Sequence, residues 1–436
     1  MDFLKKHMKA ITFLVLLSVF WGQYLIFGIV RSVDTIHFEE FSPLVYPLYS
    51  ATLWVFRTLF GADLGYFLVG LFQNLLLVIA IVSLNGYVKK AFRLESVTHC
   101  LLLLISVAVF LVQKWLTRAG LISSNTLISE GISIPFYLLF FRYALQAVLE
   151  RDRKAFGIAC LFATGIILTR AQLYWVLAVV FVVRLYLSGD SRKKAFFSAV
   201  LVCAVIAGFV QGTRVIQNAS VEDEQSKAPS SMYMLSAAVY CSEAEDAALF
   251  PADSAEQLLF VRTREWMDDP EQLAAFSYET GDLTNRHKKF ETYYDLIKGM
   301  LTYHYIVLGE EGLVPDMSDM FIKLVLANPG SYLLHCGENA LVGLIRTVAI
   351  LRPGINLLAG LFYLYLLGCL LISRKKDTLR KERLMACLGL LCTVFNALVM
   401  APGVFALSRY MFYNLPILYF TAILFLRGLV IEWRKK

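Results

Sequence analysis

Apolar positions in this chain come in long, nearly unbroken runs rather than in the two-residue or 3.6-residue rhythm of elements half exposed to water. The first of them, "ITFLVLLSVFWGQYLIFGIV", carries no charge over residues 11–30. A helix needs about 20 predominantly apolar residues to cross the hydrocarbon of a bilayer. Ten stretches meet or approach that length: 9–30, 64–86, 98–116, 126–148, 155–169, 171–188, 195–213, 354–373, 385–401 and 410–431. The pattern predicts an all-α, polytopic integral membrane protein of about ten transmembrane helices, in which the short neighbours 155–169 and 171–188 are separated only by Arg170.

Composition agrees, since 58% of the residues are hydrophobic, whereas soluble domains sit near half. Orientation follows from where Lys and Arg fall in the short loops. Lys5, Lys6 and Lys9 precede the first run, which predicts a cytoplasmic N-terminus, and basic clusters then recur in every second loop: at Lys89, Lys90 and Arg93, at Arg151, Arg153 and Lys154, at Arg192 to Lys194, from Arg374 to Arg383, and at Arg434 to Lys436. The first run is too long for a signal-peptide core and no small-residue cleavage site follows it, so it reads as a retained anchor. In this register residues 31–63 and 214–353 lie outside the cytoplasm. The expected organisation is an N-terminal transmembrane module over 1–213, an extracytoplasmic helical domain over 214–353 and a C-terminal transmembrane module over 354–436, with a bacterial cytoplasmic membrane as the setting. Residues 214–330 hold 20 Asp and Glu against 9 Lys and Arg, so the overall charge of +7 conceals an acidic segment within a basic remainder. A basic cytoplasmic surface suits anionic membrane lipids, and no nucleic-acid footprint is present.

Shorter patterns fill in the segments between the runs. "LVYPLYSATLWVFRTLF", residues 44–60, is too polar to cross and rich in aromatics, the composition of a helix lying in the membrane interface. In "DSAEQLLFVRTREWMDD" Asp253 and Glu256 have capping-box spacing. "DPEQLAAFSYETG" places Asp269 as an N-cap with Pro270 behind it and Gly281 as a stop. A helix is expected over 318–327, ended by "NPG", and "SYLLHCGENALVGLIRTVAIL" reads as a second interfacial helix. Six of the eight cysteines fall in or beside the apolar runs; Cys241 and Cys336, in the acidic segment, could pair in an oxidising compartment.

Candidate chemistry concentrates at the expected outer ends of the runs: Asp34, His37, Glu39, Glu40, Arg57, Lys114, Arg118, Glu130, Arg170, Arg214, Arg346, Arg352 and Arg409. In "VRSVDTIHFEEFSPLVYPLY" an acidic cluster follows the first span directly, on a loop tethered at both ends, which holds Asp34 at a fixed height. Glu130, in "SSNTLISEGISIPF", stands where a helix begins and also reads as a simple first-turn carboxylate favoured by the helix dipole. Glu39 and Glu40 are adjacent and cannot both face one site, and His37 reads as a hydrogen-bonding or packing residue. Arg170 in "TRAQ" and Arg409 in "SRYMFYNLPIL" could anchor at the interface by snorkelling or bind phosphate through their planar donor forks.

Several of these features, taken in order, resemble the GT-C superfamily of membrane glycosyltransferases, which use polyprenyl-phosphate-linked sugars. "VDTIHFEEF" after the first span is similar to the acidic loops of protein mannosyltransferases and related sugar transferases. An interfacial "YP-L" helix, "SEGISIPFYLLFF", the closely spaced spans around "TRAQ", a large outer loop and the late "RYMFYNLP" follow. The resemblance implies transfer of a sugar from a polyprenyl-phosphate donor to a glycan, lipid or protein acceptor on the extracytoplasmic face, with inversion. Asp34 would be the general base and Glu39 and Glu130 further catalytic acids. Arg170, Arg352 and Arg409 would bind the lipid phosphate, and His37, Glu40 and Tyr410 the substrates. Many relatives have Asp-Glu where this chain has Asp34-Thr35, which leaves open the ligands of any divalent cation, Mg2+ or Mn2+. Two other classes compete: a polysaccharide repeat-unit polymerase, dependent on loop arginines, and a flippase or transporter for lipid-linked oligosaccharides, which would place ionisable groups near the midplane.

Overall fold

A computed structural model describes residues 2–32, 34–42, 45–116, 122–189, 192–219, 231–269 and 282–434. Of the described residues 85% are helical, and none forms a strand. Among the described residues seven helices are long and apolar enough to cross a membrane: His7–Phe27, Ala62–Phe92, Glu130–Glu150, Arg192–Ala219, Pro353–Ser373, Asp377–Met400 and Ser408–Arg434. By length and composition this is a helical membrane protein. The other three expected spans form shorter elements: Ser96–Leu111, Arg153–Ile167, and Ala171–Leu187, which opens as a 3-10 turn. Arg118 and the helix expected between Pro270 and Gly281 lie outside the described residues.

The chain divides into two compact units, the first comprising residues 1–222, 361–395 and 412–436, the second 223–360 and 396–411. In the first unit, α1 (Asp2–Phe27) leads to the five-residue α2 (Thr35–Glu39) and to α3 (Pro47–Phe60), where the interfacial pattern was expected. Next come α4 (Ala62–Phe92), α5 (Ser96–Leu111), the single turn α6 (Gln113–Leu116), α7 (Glu130–Glu150), α8 (Arg153–Ile167), α9 (Val176–Leu187) and α10 (Arg192–Ala219). The 31-residue α4 is central, packing on α1, α3, α5 and α7.

Close approach in this unit depends on small residues, which let helices associate where solvent exclusion gives little drive. A Cβ on Gly70 would overlap the Tyr24 ring, and one on Gly65 would come within 2.8 Å of the Phe56 carbonyl oxygen. Ala155, Ala159 and Ala163, one turn apart on α8, are all buried. Polar side chains add cross-links: the Tyr24 hydroxyl donates to the Phe67 carbonyl at 3.0 Å, and the Asn85 amide donates to Ser106 Oγ at 3.0 Å. The outward faces are apolar as well. Phe197, Leu201, Val205 and Phe209, spaced four apart on α10, are all exposed, as a face turned to hydrocarbon should be.

The second unit contains the helices Ser231–Tyr240, Ala255–Met267, Leu283–Glu310, Met317–Ala327 and Pro329–Val348 around Leu235, Leu259, Phe260, Ile297, Leu301, Met320 and Leu324. Its helix starts are chemically explicit. Asp282 accepts from the Asn285 N–H at 3.0 Å, and Asp316 from Ser318 and Asp319 at 2.9 and 3.1 Å. The cap before Ala255–Met267 is Ser254 and not Asp253, which adopts a left-handed φ of 60°. Glu256, free of the expected box, accepts instead from the Asp316 N–H at 2.9 Å. Cys241 and Cys336 are free thiols in the same apolar cluster, and burial and the neighbouring Cys336 push the Cys241 thiol up to about 12.

Two buried imidazoles make this unit sensitive to acid. Burial and then the neighbouring His287 push His335 down from 6.5 to about 4, and burial outweighs the Glu291 carboxylate to hold His287 low as well. Because the unfolded chain binds these protons more readily, stability is full above 6.5 and falls as pH drops toward 4. For His335 alone the loss is of order 3 kcal/mol. Thermal melting of the purified protein across that window should show a falling midpoint, with His335→Phe less acid-sensitive than wild type. Equal acid sensitivity of the two would contradict it.

Candidate functional site

The polar centre of the first unit is the connection between α6 and α7. Residues 122–129 are buried throughout yet form only one 3-10 turn, Ser123–Asn125, so their backbone groups need partners from elsewhere. Side-chain amides on α4 supply them. Gln73 Nε2 donates to the Ser124 and Thr126 carbonyls, both at 3.2 Å, and Asn74 Nδ2 donates to the Ser124 carbonyl at 3.0 Å. Asn125 exchanges amide hydrogen bonds with Gln23 of α1 at 2.7 and 2.9 Å. Gln113 accepts from the Ser123 N–H at 3.0 Å, and Tyr49 of α3 donates to Gln73 Oε1 at 2.9 Å.

The acidic loop is fastened to this segment. Val30 donates to the Asn125 carbonyl and accepts from the Leu127 N–H, both at 2.9 Å, and Thr35 Oγ1 donates to the Leu127 carbonyl at 2.9 Å. Thr35, where the resemblance expects a second acid, is thus fully buried as an anchor. Asp34 beside it is half-buried and makes no capping bond to α2. On the far side of the loop, Gln217 Nε2 of α10 donates to the carbonyls of Phe41, Ser42 and Val45 at 3.2, 3.0 and 3.1 Å. Arg214 donates to the Val45 carbonyl at 2.7 Å and lies over the Tyr46 ring.

Glu130 and Arg170, forty residues apart in sequence, form a buried ion pair. Glu130 opens α7, where the helix dipole favours an anion. Arg170 is the extended residue between α8 and the Ala171–Trp175 turn, and the Leu48 N–H reaches the Leu168 carbonyl beside it at 3.1 Å, which ties the start of α3 to this break. The cavity lined by Gln113, Ser123 and Glu130 measures about 10 Å3, room for one water and not for a sugar.

The remaining candidates have distinct settings. Glu39 accepts from Arg31 at 2.7 and 2.9 Å and from the Tyr66 hydroxyl at 2.7 Å, while Arg31 and Arg57 both lie over the Tyr66 ring. That carboxylate holds the loop in place. Glu40 is exposed, His37 half-buried and Lys114 exposed. Arg352, Arg409, Tyr410 and Arg346 belong to the second unit. Arg409 Nη2 donates to the Tyr410 hydroxyl at 2.9 Å, Arg352 is exposed, and Arg346 pairs with Glu291 and donates to the Ala406 carbonyl at 2.7 Å. Among the described residues no three His, Cys, Asp or Glu side chains gather as a metal-binding group.

The amides Gln23, Gln73, Asn74 and Asn125 are absent from the residues singled out in sequence. Their signal is present, however: "LFQNLLL" sets two adjacent amides inside an apolar run, where polar groups are costly unless partnered. No protein-family model, curated protein or solved structure matches this chain.

Breaking a buried ion pair from one side costs roughly 3–5 kcal/mol, whereas replacing both partners by neutral groups costs far less. Glu130→Gln and Arg170→Met should each lower the unfolding midpoint in detergent sharply, and the double variant should recover most of the loss. Additive losses in this cycle would contradict the pairing.

Proposed function

We propose that the protein is a GT-C-type glycosyltransferase that moves a sugar from a polyprenyl-phosphate carrier to an acceptor on the extracytoplasmic face. The reading is supported above all by the mounting of Asp34: a half-buried carboxylate on a short loop fixed at Val30, Thr35, Phe41, Ser42 and Val45 by α10 and the buried 122–129 segment. A general base has to be held within hydrogen-bond reach of the proton it takes, and these anchors flank Asp34 on both sides. Asp34 removes the proton of the acceptor hydroxyl as its oxygen bonds to the anomeric carbon. The bond from that carbon to the carrier phosphate breaks, and the electron pair leaves with the polyprenyl phosphate. Arg170, kept in place by Glu130, meets the developing phosphate charge. Displacement from the opposite face inverts the anomeric centre.

The topology proposed with this reading has ten crossings, the seven long helices together with Ser96–Leu111, Arg153–Ile167 and Ala171–Leu187, and both termini in the cytoplasm. The basic clusters support it, since each falls at a helix end assigned to one side. At 15 to 17 residues the three short elements reach only about 25 Å at 1.5 Å per residue, so they would cross where the bilayer thins or their flanks snorkel.

Asp34→Asn keeps the shape of the side chain and removes the base. Transfer of label from a radiolabelled polyprenyl-phosphate sugar should fall by roughly 10²–10⁴-fold in this variant, with carrier binding retained. Normal transfer by Asp34→Asn would remove the base assignment and favour the polymerase reading, in which arginines carry the chemistry.

A further inference from the structure

The second unit contains a cavity of about 140 Å3, close to the roughly 150 Å3 that accommodates one benzene ring. Its walls come from the helices Ser231–Tyr240, Leu283–Glu310 and Pro329–Val348. Tyr240 and Phe290 meet edge to face with centroids 5.0 Å apart and supply flat apolar surface. The His335 ring packs against Phe290 with centroids 4.1 Å apart, and the His287 ring lies 6.0 Å from the same Phe290 ring.

The two imidazoles are unusual in what they leave unmet. Nε2 of both His287 and His335 is buried without a hydrogen bond, and His287 is only 4% exposed. The nearest carboxylate oxygen, Oε1 of Glu291, is 3.4 Å from His287 Nε2 and is already engaged by Arg346. Burial keeps both rings neutral, so each can offer one donor and one acceptor, which suits hydroxyl groups rather than a bare charge. Unmet buried nitrogens are a standing cost that a hydroxyl-bearing ligand would relieve.

The charges around the cavity do not cancel. Arg286 and Glu338 pair at 2.7 Å. Asn339 has its amide committed to the Ala401 and Val404 carbonyls at 3.0 and 2.8 Å and its carbonyl to the Ala406 N–H at 2.9 Å, so it forms a fixed floor. Among the described residues Lys289 is left as the surplus cation on the lining, its ammonium 5.6 Å from the Tyr293 ring. Ring-sized space, flat aromatic walls, two neutral hydroxyl partners and one surplus positive charge together define a ligand.

We propose that this cavity binds a single pyranose ring bearing one anionic substituent, of the uronic-acid type. Identifying that ring as the acceptor's sugar rests on the transferase reading; the binding itself does not. The test is ligand-observed NMR titration of the full-length protein in detergent with methyl glucuronide and methyl glucoside. Glucuronide should bind saturably and glucoside about fivefold more weakly. Lys289→Gln, at the partly exposed rim, should level the two affinities, and His335→Phe should weaken both about tenfold. Absence of saturable binding by wild type would overturn the proposal, as would unchanged binding by His335→Phe or an undiminished glucuronide preference in Lys289→Gln. A protein that binds glucuronide yet takes no sugar from a carrier would overturn the transferase reading and leave this one standing.

Discussion

Much of what is placed in the first unit depends on one constraint: backbone polar groups buried among apolar helices must be satisfied, and residues 122–129 satisfy only part of their own because beyond the Ser123–Asn125 turn they are not helical. Gln73 and Asn74 resolve it by lending amide hydrogens to the Ser124 and Thr126 carbonyls. Water cannot substitute freely in such a setting, so these bonds specify the arrangement as well as stabilising it. The same segment then offers its own edge to Val30 and Thr35. An irregular stretch is thereby turned into a mount for the loop that carries Asp34, and it delivers Glu130 to the first turn of α7, within reach of Arg170.

This division of labour separates groups that position from groups that could react. Glu39 is spent on Arg31 and Tyr66, and Glu130 on Arg170 with space beside it for no more than a water. Asp34, like Glu39, is half-buried, and its side chain makes no cap to α2. The proposed function gives the base to Asp34, on the mounted loop, and holding roles to Glu39 and Glu130.

Much of the fold was legible in the sequence because bilayer length and polar punctuation are crude, strong signals. The runs at 9–30, 64–86 and 195–213 became long helices; Pro47 opens a helix within the first stretch read as interfacial, and Pro329, in the "NPG" read as a stop, opens the helix that runs through the second. Cap identity was less legible: Asp253 and Ser254 are both good N-caps, and only the left-handed turn at Asp253 moves the start to Ser254. The short run expected at 155–169 is a helix of the same length displaced by two residues, Arg153–Ile167, and it ends at Leu168, whose carbonyl accepts from the Leu48 N–H at the start of α3. At the site, the candidates were visible as charges at run ends, but the pairing of Glu130 with Arg170 joins positions that no local spacing relates. The Gln73 and Asn74 network was hidden for the opposite reason: uncharged amides inside an apolar run barely disturb its hydropathy. Nor did spacing bring His287, His335 and Lys289 together, because their cavity is assembled by packing between helices.

The central claim is that a sugar leaves a polyprenyl phosphate and arrives inverted on an acceptor. The most direct measurement is to incubate the purified protein with a polyprenyl-phosphate sugar of known anomeric configuration and a glycolipid extract, then determine by NMR and mass spectrometry what leaves the carrier and how it is linked. The account predicts one sugar transferred, free polyprenyl phosphate released and the anomeric centre inverted. Transfer of an entire oligosaccharide with release of a polyprenyl pyrophosphate, retention of configuration, or passage of the intact carrier-linked sugar across the membrane without bond breakage would contradict it.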